Sequence, residues 1–330
     1  MEKLLDVKNL NINFNTYAGV VKAVRGVNFE LDKGEMLAIV GESGSGKSVT
    51  AKSLMSLLPE KIASIDKNSK ILFEGKNILK YSNKELRGLR GKEISMIFQD
   101  PMTSLNPTMK LGKQISEVLK IHRNMNSKEA KEEAIRLFKA VHITNPEQRI
   151  NQYPFELSGG MRQRVIIAMA IACNPKIIIA DEPTTALDVT IQAQIMKLIH
   201  ELKEEMETSI ILITHDLGVV REFADRINVM YAGKIIEGGT VEEVFKKSKH
   251  PYTWALLKSM PTLDSDIKSE LYSLGGTPPD LLEPPIGCPF CARCEYAMEI
   301  CKEKMPERTD LSTTHFTYCW LTHEYAESVE

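Results

Sequence analysis

The sequence lacks any long apolar run, and this absence argues against a protein with membrane-spanning helices. Its longest apolar stretches, such as those within residues 176–180 and 210–213, have the length of a strand. They fall well short of the roughly 20 apolar residues that a membrane helix needs. The first residues include acidic side chains and no apolar core of the kind found in signal peptides, so we expect no signal peptide. Any membrane role is therefore expected to act through a partner.

The sequence also lacks a basic surplus. Its 42 Lys and Arg residues are balanced by 44 Asp and Glu residues, which gives a formal net charge of −2. This composition provides no electrostatic reason to expect a nucleic-acid partner. The chain has no internal repeat or low-complexity tract, and its hydrophobic fraction of 43% is ordinary for a globular protein that buries a full core.

Short apolar runs alternate with helix-prone segments along most of the chain. This order predicts an α/β fold with a mainly parallel sheet that helices cover on both faces. Beyond about residue 263 the character changes, because linker-like Gly and Pro stretches precede a group of cysteines. The predicted buried strands are at residues 36–40, 176–180 and 210–213. Residues 114–141 are predicted to be helical, with Ser127 able to cap a helix that 129–139 continues, and a long helix is predicted at 187–205.

Residues 41–48, GESGSGKS, fit the phosphate-loop pattern G-x-x-x-x-G-K-S. The motif follows a predicted strand and opens a predicted helix, where backbone N–H groups and the helix N-terminus favour an anion. We expect Lys47 to reach the β- and γ-phosphates of ATP and the Ser48 hydroxyl to ligate Mg²⁺. The glycine spacing does not fit the dinucleotide pattern. The predicted nucleotide-binding residues here are Gly41, Ser43, Gly44, Ser45, Gly46, Lys47, Ser48 and Val49.

A second motif, KIIIADEP at residues 176–183, ends an apolar strand with two carboxylates. Asp181 is placed to hold the Mg²⁺ shell, and Glu182 is placed to polarise the attacking water. This division of labour suits phosphoryl transfer, in which catalysis consists of positioning and charge stabilisation. Together with the phosphate loop it predicts an ATPase.

The segment LSGGMRQR, at residues 157–164, resembles the signature motif of ABC-type ATPases. Ser158, Gly159 and Gly160 would present a hydroxyl and backbone amides at the start of a helix, where an anion is favoured. In that family the motif closes over the γ-phosphate bound by the facing subunit. The resemblance therefore implies a dimer with two ATP molecules at its interface.

Further residues match the family's motifs in the family's order. Gln99 resembles the glutamine that touches Mg²⁺ and water, and Asp188 lies in a stretch that resembles the loop crossing the dimer interface. His215 resembles the histidine that contacts the γ-phosphate. Tyr17 is the implied adenine-stacking aromatic, although Ala18 could align instead. The resemblance thus implies a catalytic set of Glu182, His215, Gln99 and Lys47.

This resemblance covers roughly residues 4–261 and carries expectations about architecture. It implies an α/β ABC-type ATPase with a mixed β-sheet core in a nucleotide-binding domain at residues 1–262. A helical subdomain is expected at about 100–165, where transporters of the family grip their membrane subunits. Residues 263–330 are expected to form a small Cys-rich C-terminal extension.

Three stretches resemble the ATPases of dipeptide and oligopeptide importers, namely residues 98–107, 250–259 and 287–294. The implied partners are a second ATPase subunit in a heterodimer, two permease subunits and, indirectly, an extracytoplasmic peptide-binding protein. The chain would sit peripherally on the cytoplasmic face of the membrane. The same group handles nickel, glutathione and some sugars, which remain alternatives. A soluble ABC ATPase acting on nucleic acid or ribosomes is opposed by the near-neutral charge and the single cassette.

Five of the six cysteines lie beyond residue 287. In a reducing compartment such clustering favours a metal site over disulfides. Spacing alone leaves a ferredoxin-like cluster, zinc, disulfides and free thiols open. The resemblance implies a [4Fe–4S] cluster on four thiolates, with Cys291 as a neighbour and zinc as the alternative. A short tail with prolines is expected to bury little core, so a bound metal group would stabilise its fold as a cross-link. The four implied ligands are Cys288, Cys294, Cys301 and Cys319.

Overall fold

The computed structural model describes residues 3–185, 187–260, 274–324 and 326. The strands in these residues, in chain order, are β1 (Lys3–Thr16), β2 (Gly19–Asp32), β3 (Met36–Val40), β4 (Ala63–Ile65), β5 (Lys70–Phe73), β6 (Lys76–Asn77), β7 (Ile94–Ile97), β8 (Ile177–Asp181), β9 (Ser209–Ile213), β10 (Arg226–Tyr231), β11 (Lys234–Thr240), β12 (Thr309–Asp310) and β13 (Phe316–Thr317). The predicted strands at 36–40, 176–180 and 210–213 therefore exist, each within one residue of its expected bounds.

Helices connect these strands. In the described residues they are α1 (Lys47–Ser53), α2 (Asn83–Leu89), α3 (Pro101–Ser104), α4 (Leu111–Arg123), α5 (Ser127–Ala140), α6 (Pro146–Arg149), α7 (Gly159–Ile171), α8 (Val189–Met206), α9 (Leu217–Phe223), α10 (Val241–Lys247), α11 (Pro251–Lys258) and α12 (Glu299–Glu303). None of these helices has the length and apolar character needed to cross a bilayer.

The chain divides into two compact units. The first comprises Met1–Leu4, Leu31–Met36 and Ile78–Ile213, and the second comprises Leu5–Glu30, Leu37–Asn77 and Thr214–Glu330. The expected boundary between the nucleotide-binding domain and the C-terminal extension, at residues 262 and 263, lies outside the described residues.

The first unit contains three parallel strands in the order β7, β8, β9. Ile94 pairs with Ile177, and Ile177 pairs with Ser209. All residues of these strands are buried, as expected for parallel strands that are covered on both faces. Helices α4, α5 and α7 pack on one another, and α7 also packs on β7. This sheet carries the loops that follow β7 and β8 at one edge.

Two helices, α4 and α5, occupy the stretch 114–141 that is predicted to be helical. Asn124 adopts a left-handed conformation after α4. Asn126, not Ser127, caps α5, since its side chain accepts hydrogen bonds from the backbone N–H groups of Lys128 and Glu129. The Glu129 side chain accepts one in return from the Asn126 backbone, which completes a capping box.

The second unit contains a mixed sheet and an antiparallel one. In the mixed sheet β10 pairs in parallel with β3 and antiparallel with β11, and β13 then joins β11 and β12 antiparallel. In the antiparallel sheet the order is β2, β1, β5, β6, with β4 also on β1. Since β12 and β13 lie between Cys301 and Cys319, the C-terminal extension extends the mixed sheet.

The expectation that the extension buries little core is wrong. Phe290 is 2% exposed, and its ring lies 5.4 Å from that of Tyr231 and 5.3 Å from that of Tyr252, centroid to centroid. Cys288 and Cys301 are buried in the same cluster. The extension supplies aromatic and sulfur side chains to the core of the second unit, so packing holds it in place. This packing could not be predicted from the local sequence, because Tyr231 and Tyr252 lie far from Phe290 along the chain.

Candidate active site

The phosphate-loop motif forms a tight turn between the buried strand β3 and helix α1, which begins at Lys47. Gly41 has φ 150°, and a Cβ there would lie 2.0 Å from the carbonyl oxygen of Met230. Gly46 has φ 102°, and its Cβ would lie 2.6 Å from the carbonyl oxygen of Ala23. Only glycine fits at these two positions. The loop is therefore seated directly on β10 and β2.

The ammonium group of Lys47 lies within this loop. Its Nζ donates hydrogen bonds to the carbonyl oxygens of Gly41, at 2.7 Å, and Glu42, at 2.9 Å. The residue is 5% exposed, and Ser45 beside it is 3% exposed. Ser43 and Gly44 are exposed at the tip of the loop, while Ser48 and Val49 lie in the first turn of α1. The loop thus combines a fixed cation with a glycine-rich backbone, the combination that favours an anion.

Tyr17 and His215 also belong to the second unit. Tyr17 is fully exposed in the turn between β1 and β2, which suits a ring that stacks on a planar base. His215 is exposed and precedes α9. Its neighbour Asp216 caps that helix, with a carboxylate oxygen 2.8 Å from the N–H of Gly218. The cap fixes the backbone just after His215.

Two carboxylates follow the apolar part of β8 in the first unit. Asp181 is its last residue and is 2% exposed. Glu182 adopts φ 47°, a left-handed conformation that is uncommon for a residue other than glycine. Its N–H donates to the carbonyl oxygen of Ile213 at 2.8 Å, which helps to hold this backbone. Such conformations concentrate at functional sites.

The structure brings Gln99 and Glu182 together. The Gln99 Nε2 donates to Oε2 of Glu182 at 2.9 Å, and the Thr185 hydroxyl donates to the same oxygen at 2.9 Å. Two donors on one oxygen orient the carboxylate. Sequence reasoning found Gln99 and Glu182 but missed the contact of Thr185. Its position three residues after Glu182, in a loop that must turn, was the available signal.

The signature segment meets the Asp188 segment in the first unit. Ser158 caps α7, with its hydroxyl accepting from the N–H of Met161 at 3.4 Å. Asp188 caps α8 and accepts from the N–H of Ile191 at 2.9 Å. A Cβ on Gly160 would lie 2.7 Å from Cγ2 of Ile191, so the two helix starts are in close contact. Gly159 lies beside them, facing Leu187.

Comparison with known proteins identifies the family. Residues 24–185 match the family model described as ABC transporter, and residues 236–301 match the oligopeptide/dipeptide transporter C-terminal region. The chain belongs to the ABC transporter family. It is an ABC-type ATPase, and ATPases of this family work at the membrane with permease subunits. The fold and the enzyme class predicted from the motifs are confirmed.

Similar relatives extend over nearly the whole of this ABC ATPase. The oligopeptide transport ATP-binding protein OppD of Bacillus subtilis is 59% identical over 99% of this chain and 91% of its own. The dipeptide transport ATP-binding protein DppD of the same species is 54% identical over 99% and 97%. A solved dimer of the ATP-binding cassette MJ0796, bound to ADP and Pi, matches with a TM-score of 0.64 at 29% identity and covers 72% of this chain and 98% of that one.

The cysteines of the ABC ATPase extension lie close to one another in the second unit. The N–H of Cys288 donates to the carbonyl oxygen of Cys301 at 2.8 Å. Burial is the largest cause that raises the pKa of Cys288 to about 12, and the thiols of Cys301, Cys294 and Cys291 also raise it. Burial likewise raises the pKa of Cys319 to about 12, with contributions from Cys288, Cys294 and Cys301.

None of these cysteines forms a disulfide. Within the part of the chain that the structure describes, no three or more His, Cys, Asp or Glu side chains are arranged to hold a metal ion. Thiols are the soft donors that zinc and iron–sulfur groups prefer, and those of Cys294 and Cys301 raise the pKa of both Cys288 and Cys319 after burial.

Proposed function

We propose that this ABC ATPase hydrolyses ATP to energise the import of dipeptides or oligopeptides across the cell membrane. The observation that carries the proposal is the match of residues 236–301 to the oligopeptide/dipeptide transporter C-terminal region. Identity of 54–59% to OppD and DppD along 99% of the chain supports it. Nickel or glutathione import would use the same ATPase chemistry and is the alternative that the experiment below separates.

In this proposal the second unit binds the nucleotide. Lys47 contacts the β- and γ-phosphates, Tyr17 stacks on adenine, and His215 contacts the γ-phosphate. Backbone N–H groups of the loop surround the phosphates, which the positive φ angles of its glycines permit. The phosphate contacts are assigned to Gly41, Ser43, Gly44, Ser45, Gly46, Lys47, Ser48 and Val49.

Ser48, Gln99 and Asp181 are the proposed contacts of Mg²⁺. Their hydroxyl, amide and carboxylate oxygens are the hard donors that this ion prefers. Bound Mg²⁺ supplies charge neutralisation during phosphoryl transfer. Glu182 polarises the attacking water, while Gln99 and Thr185 hold its carboxylate in place through the two bonds to Oε2.

The working unit in this proposal is a dimer. Ser158, Gly159 and Gly160 close over the nucleotide of the facing subunit, and Asp188 lies at the interface. The contact between the starts of α7 and α8 supports the placement of both segments at one interface. A heterodimer with a second ATPase subunit, two permease subunits gripped through residues of about 100–165, and an extracytoplasmic peptide-binding protein complete the importer. The chain works on the cytoplasmic face of the membrane.

The cysteines are proposed to hold a [4Fe–4S] cluster through Cys288, Cys294, Cys301 and Cys319, with zinc as the alternative. The grouping of soft thiol donors in one segment, with the N–H of Cys288 bonded to the carbonyl oxygen of Cys301, supports the proposal of a shared group. The metal group would add a structural cross-link to the extension. Cys291 is proposed to be a neighbour and not a ligand.

The test is solute uptake in cells that lack this gene. We expect loss of uptake of a labelled tripeptide, restored by the native chain and not by the Glu182→Gln variant. Uptake of nickel and glutathione is measured in the same strains. If tripeptide uptake is unchanged while nickel or glutathione uptake falls, the peptide assignment is wrong and the ATPase assignment stands.

A further inference from the structure

Glu42 occupies a position in the phosphate-loop motif where any residue is allowed, yet it makes a specific ion pair. Arg293 of the C-terminal extension donates from Nη1 to Glu42 Oε2 at 2.7 Å and from Nη2 to Glu42 Oε1 at 2.9 Å. The Arg293 side chain is 5% exposed and that of Glu42 is 26% exposed. A two-pronged, largely buried pair of this kind is both stronger and more directional than a surface ion pair.

The rest of the Arg293 guanidinium is also bonded. Nε donates to the carbonyl oxygen of Gly275 at 2.9 Å, Nη2 to that of Leu274 at 3.3 Å, and Nη1 to the hydroxyl of Tyr231 at 3.2 Å. With the two bonds to Glu42, this makes five hydrogen bonds for the five N–H donors of an arginine. A lysine could not reproduce this planar arrangement.

The backbone of Glu42 is fixed as well as its side chain. Its N–H donates to the hydroxyl of Tyr252 at 2.8 Å, and its carbonyl oxygen accepts from Nζ of Lys47 at 2.9 Å. Tyr252 in turn packs against Phe290, three residues before Arg293. Glu42 is therefore held by Arg293 of the extension and by Tyr252 of α11, whose ring packs against the extension.

Arg293 is itself placed by the cysteine segment. It is the last residue of the short 3-10 turn Cys291–Arg293, and its N–H donates to the carbonyl oxygen of Phe290 at 2.9 Å. The N–H of Cys294 donates to the carbonyl oxygen of Cys291. Whatever orders this turn also sets the position of the guanidinium.

Charge explains why the pair matters to a nucleotide. A carboxylate in a loop that receives phosphates opposes the ligand by Coulomb repulsion, most strongly where water is scarce. The Arg293 guanidinium balances the charge of Glu42 and holds the carboxylate toward the extension. We propose that Arg293 is a positioning residue of the phosphate loop, so that the affinity for nucleotide depends on the C-terminal extension. This inference rests on the proposed nucleotide site at residues 41–48.

The experiment measures the Kd of the purified full-length chain for a fluorescent ATP analogue with Mg²⁺. In Arg293→Met the Glu42 carboxylate loses its partner, and we expect Kd to rise about tenfold, the order of one charge-assisted interaction. Glu42→Gln removes the charge and gives the reference Kd for the double variant. The double variant should bind like Glu42→Gln, because the repulsive charge is gone. A purely structural role of Arg293 would not be rescued by a change at Glu42.

Two control variants distinguish failure of the proposed nucleotide site from failure of the inference about Arg293. Arg308→Met removes another arginine of the extension, paired with Asp310, and should leave Kd unchanged. Lys47→Ala should abolish binding. If Lys47→Ala binds normally, the nucleotide site is wrong and the inference falls with it. If Lys47→Ala loses binding while Arg293→Met equals Arg308→Met, or the double variant stays as weak as Arg293→Met, the inference alone is overturned.

Thermal unfolding shows whether each variant is folded. If Arg293→Met does not fold, Arg293→Lys carries the test, because it keeps the charge and loses the two-pronged geometry. We then expect a rise in Kd of about threefold that Glu42→Gln removes. A native Kd in Arg293→Lys, or a raised Kd that Glu42→Gln leaves in place, would contradict the proposal.

Discussion

The side-chain amide of Gln99 donates a 2.9 Å hydrogen bond to Oε2 of Glu182, which joins the loop after β7 to the loop after β8. These strands are parallel neighbours in the first unit, so their carboxyl ends lie at the same edge of the sheet. The Thr185 hydroxyl donates to the same oxygen. A residue proposed to contact Mg²⁺ and the proposed base are therefore oriented by one shared contact.

Replacement of Glu182 by glutamine tests the base directly. The variant keeps the shape of the side chain and loses the charge that polarises water. We expect native ATP binding and a fall in kcat of about 100-fold or more, the range of general-base catalysis. Phosphate release and equilibrium binding on one preparation provide the measurement. Glu201→Gln on α8 is the matched control, and hydrolysis by Glu182→Gln at the control's rate would refute the assignment.

Thr185 offers a finer test of the same carboxylate. Thr185→Val removes one of the two donors to Oε2 and preserves the volume of the side chain. We expect kcat to fall about three- to tenfold, the value of one ordinary hydrogen bond, with KM unchanged. Thr185→Ser retains the hydroxyl and should stay near native. Equal loss in both variants would show that packing, and not the donor, is what matters.

The sequence predicted the local parts of this molecule well. The glycine loop before Lys47 and the carboxylates at the end of β8 are contiguous motifs. The strands that precede them are buried on both faces, so they could be recognised in the sequence as apolar runs. The break within the helical stretch 114–141 has a local cause as well, since the left-handed Asn124 and the cap at Asn126 interrupt a pattern that apolar periodicity alone continues. Asn126 and Glu129 have the spacing of a capping box, which is the local signal for the start of α5.

Long-range contacts were not predictable in the same way. Arg293 and Glu42 are 251 positions apart, and the sequence around each residue does not indicate that the other is its partner. The burial of Phe290 against Tyr231 and Tyr252 depends on aromatic residues from three separate segments. A proline-containing stretch without periodicity carries no sign of such partners, so its packing had to come from the structure.

Glu133 provides a pH-dependent stability test in the first unit. Hydrogen bonds from Arg136 and then Arg123 lower the pKa of this carboxyl to about 2, from 4.5. Because the folded pKa is depressed, its contribution is present above pH 4.5 and is lost as the pH falls through about 2. We expect Glu133→Gln to lower the free energy of unfolding by about 2 kcal/mol at pH 7, a value typical of a charged hydrogen bond that is partly screened.

Urea unfolding at pH 7, 4 and 2.5 checks this expectation. The difference between native and Glu133→Gln protein should shrink steadily toward the lowest pH. Glu132→Gln, at the exposed neighbouring position on α5, serves as the control and should differ little from native at any pH. A difference that does not depend on pH would show that the glutamine disturbs packing and that the ion pairs contribute little.

The cysteine assignment is tested by metal content. In anaerobically purified protein we expect iron and sulfide at about four of each per chain, the composition of a [4Fe–4S] cluster. Cys301→Ser removes a proposed ligand and should lower both together with the visible absorption, whereas Cys291→Ala should retain them. Both thiols lie in the same segment, and burial and then the thiol of Cys301 raise the pKa of Cys291, so nearness alone does not separate ligand from neighbour. Iron retained in Cys301→Ser and lost in Cys291→Ala would reverse the two roles, and zinc in place of iron would replace the cluster by a thiolate zinc site.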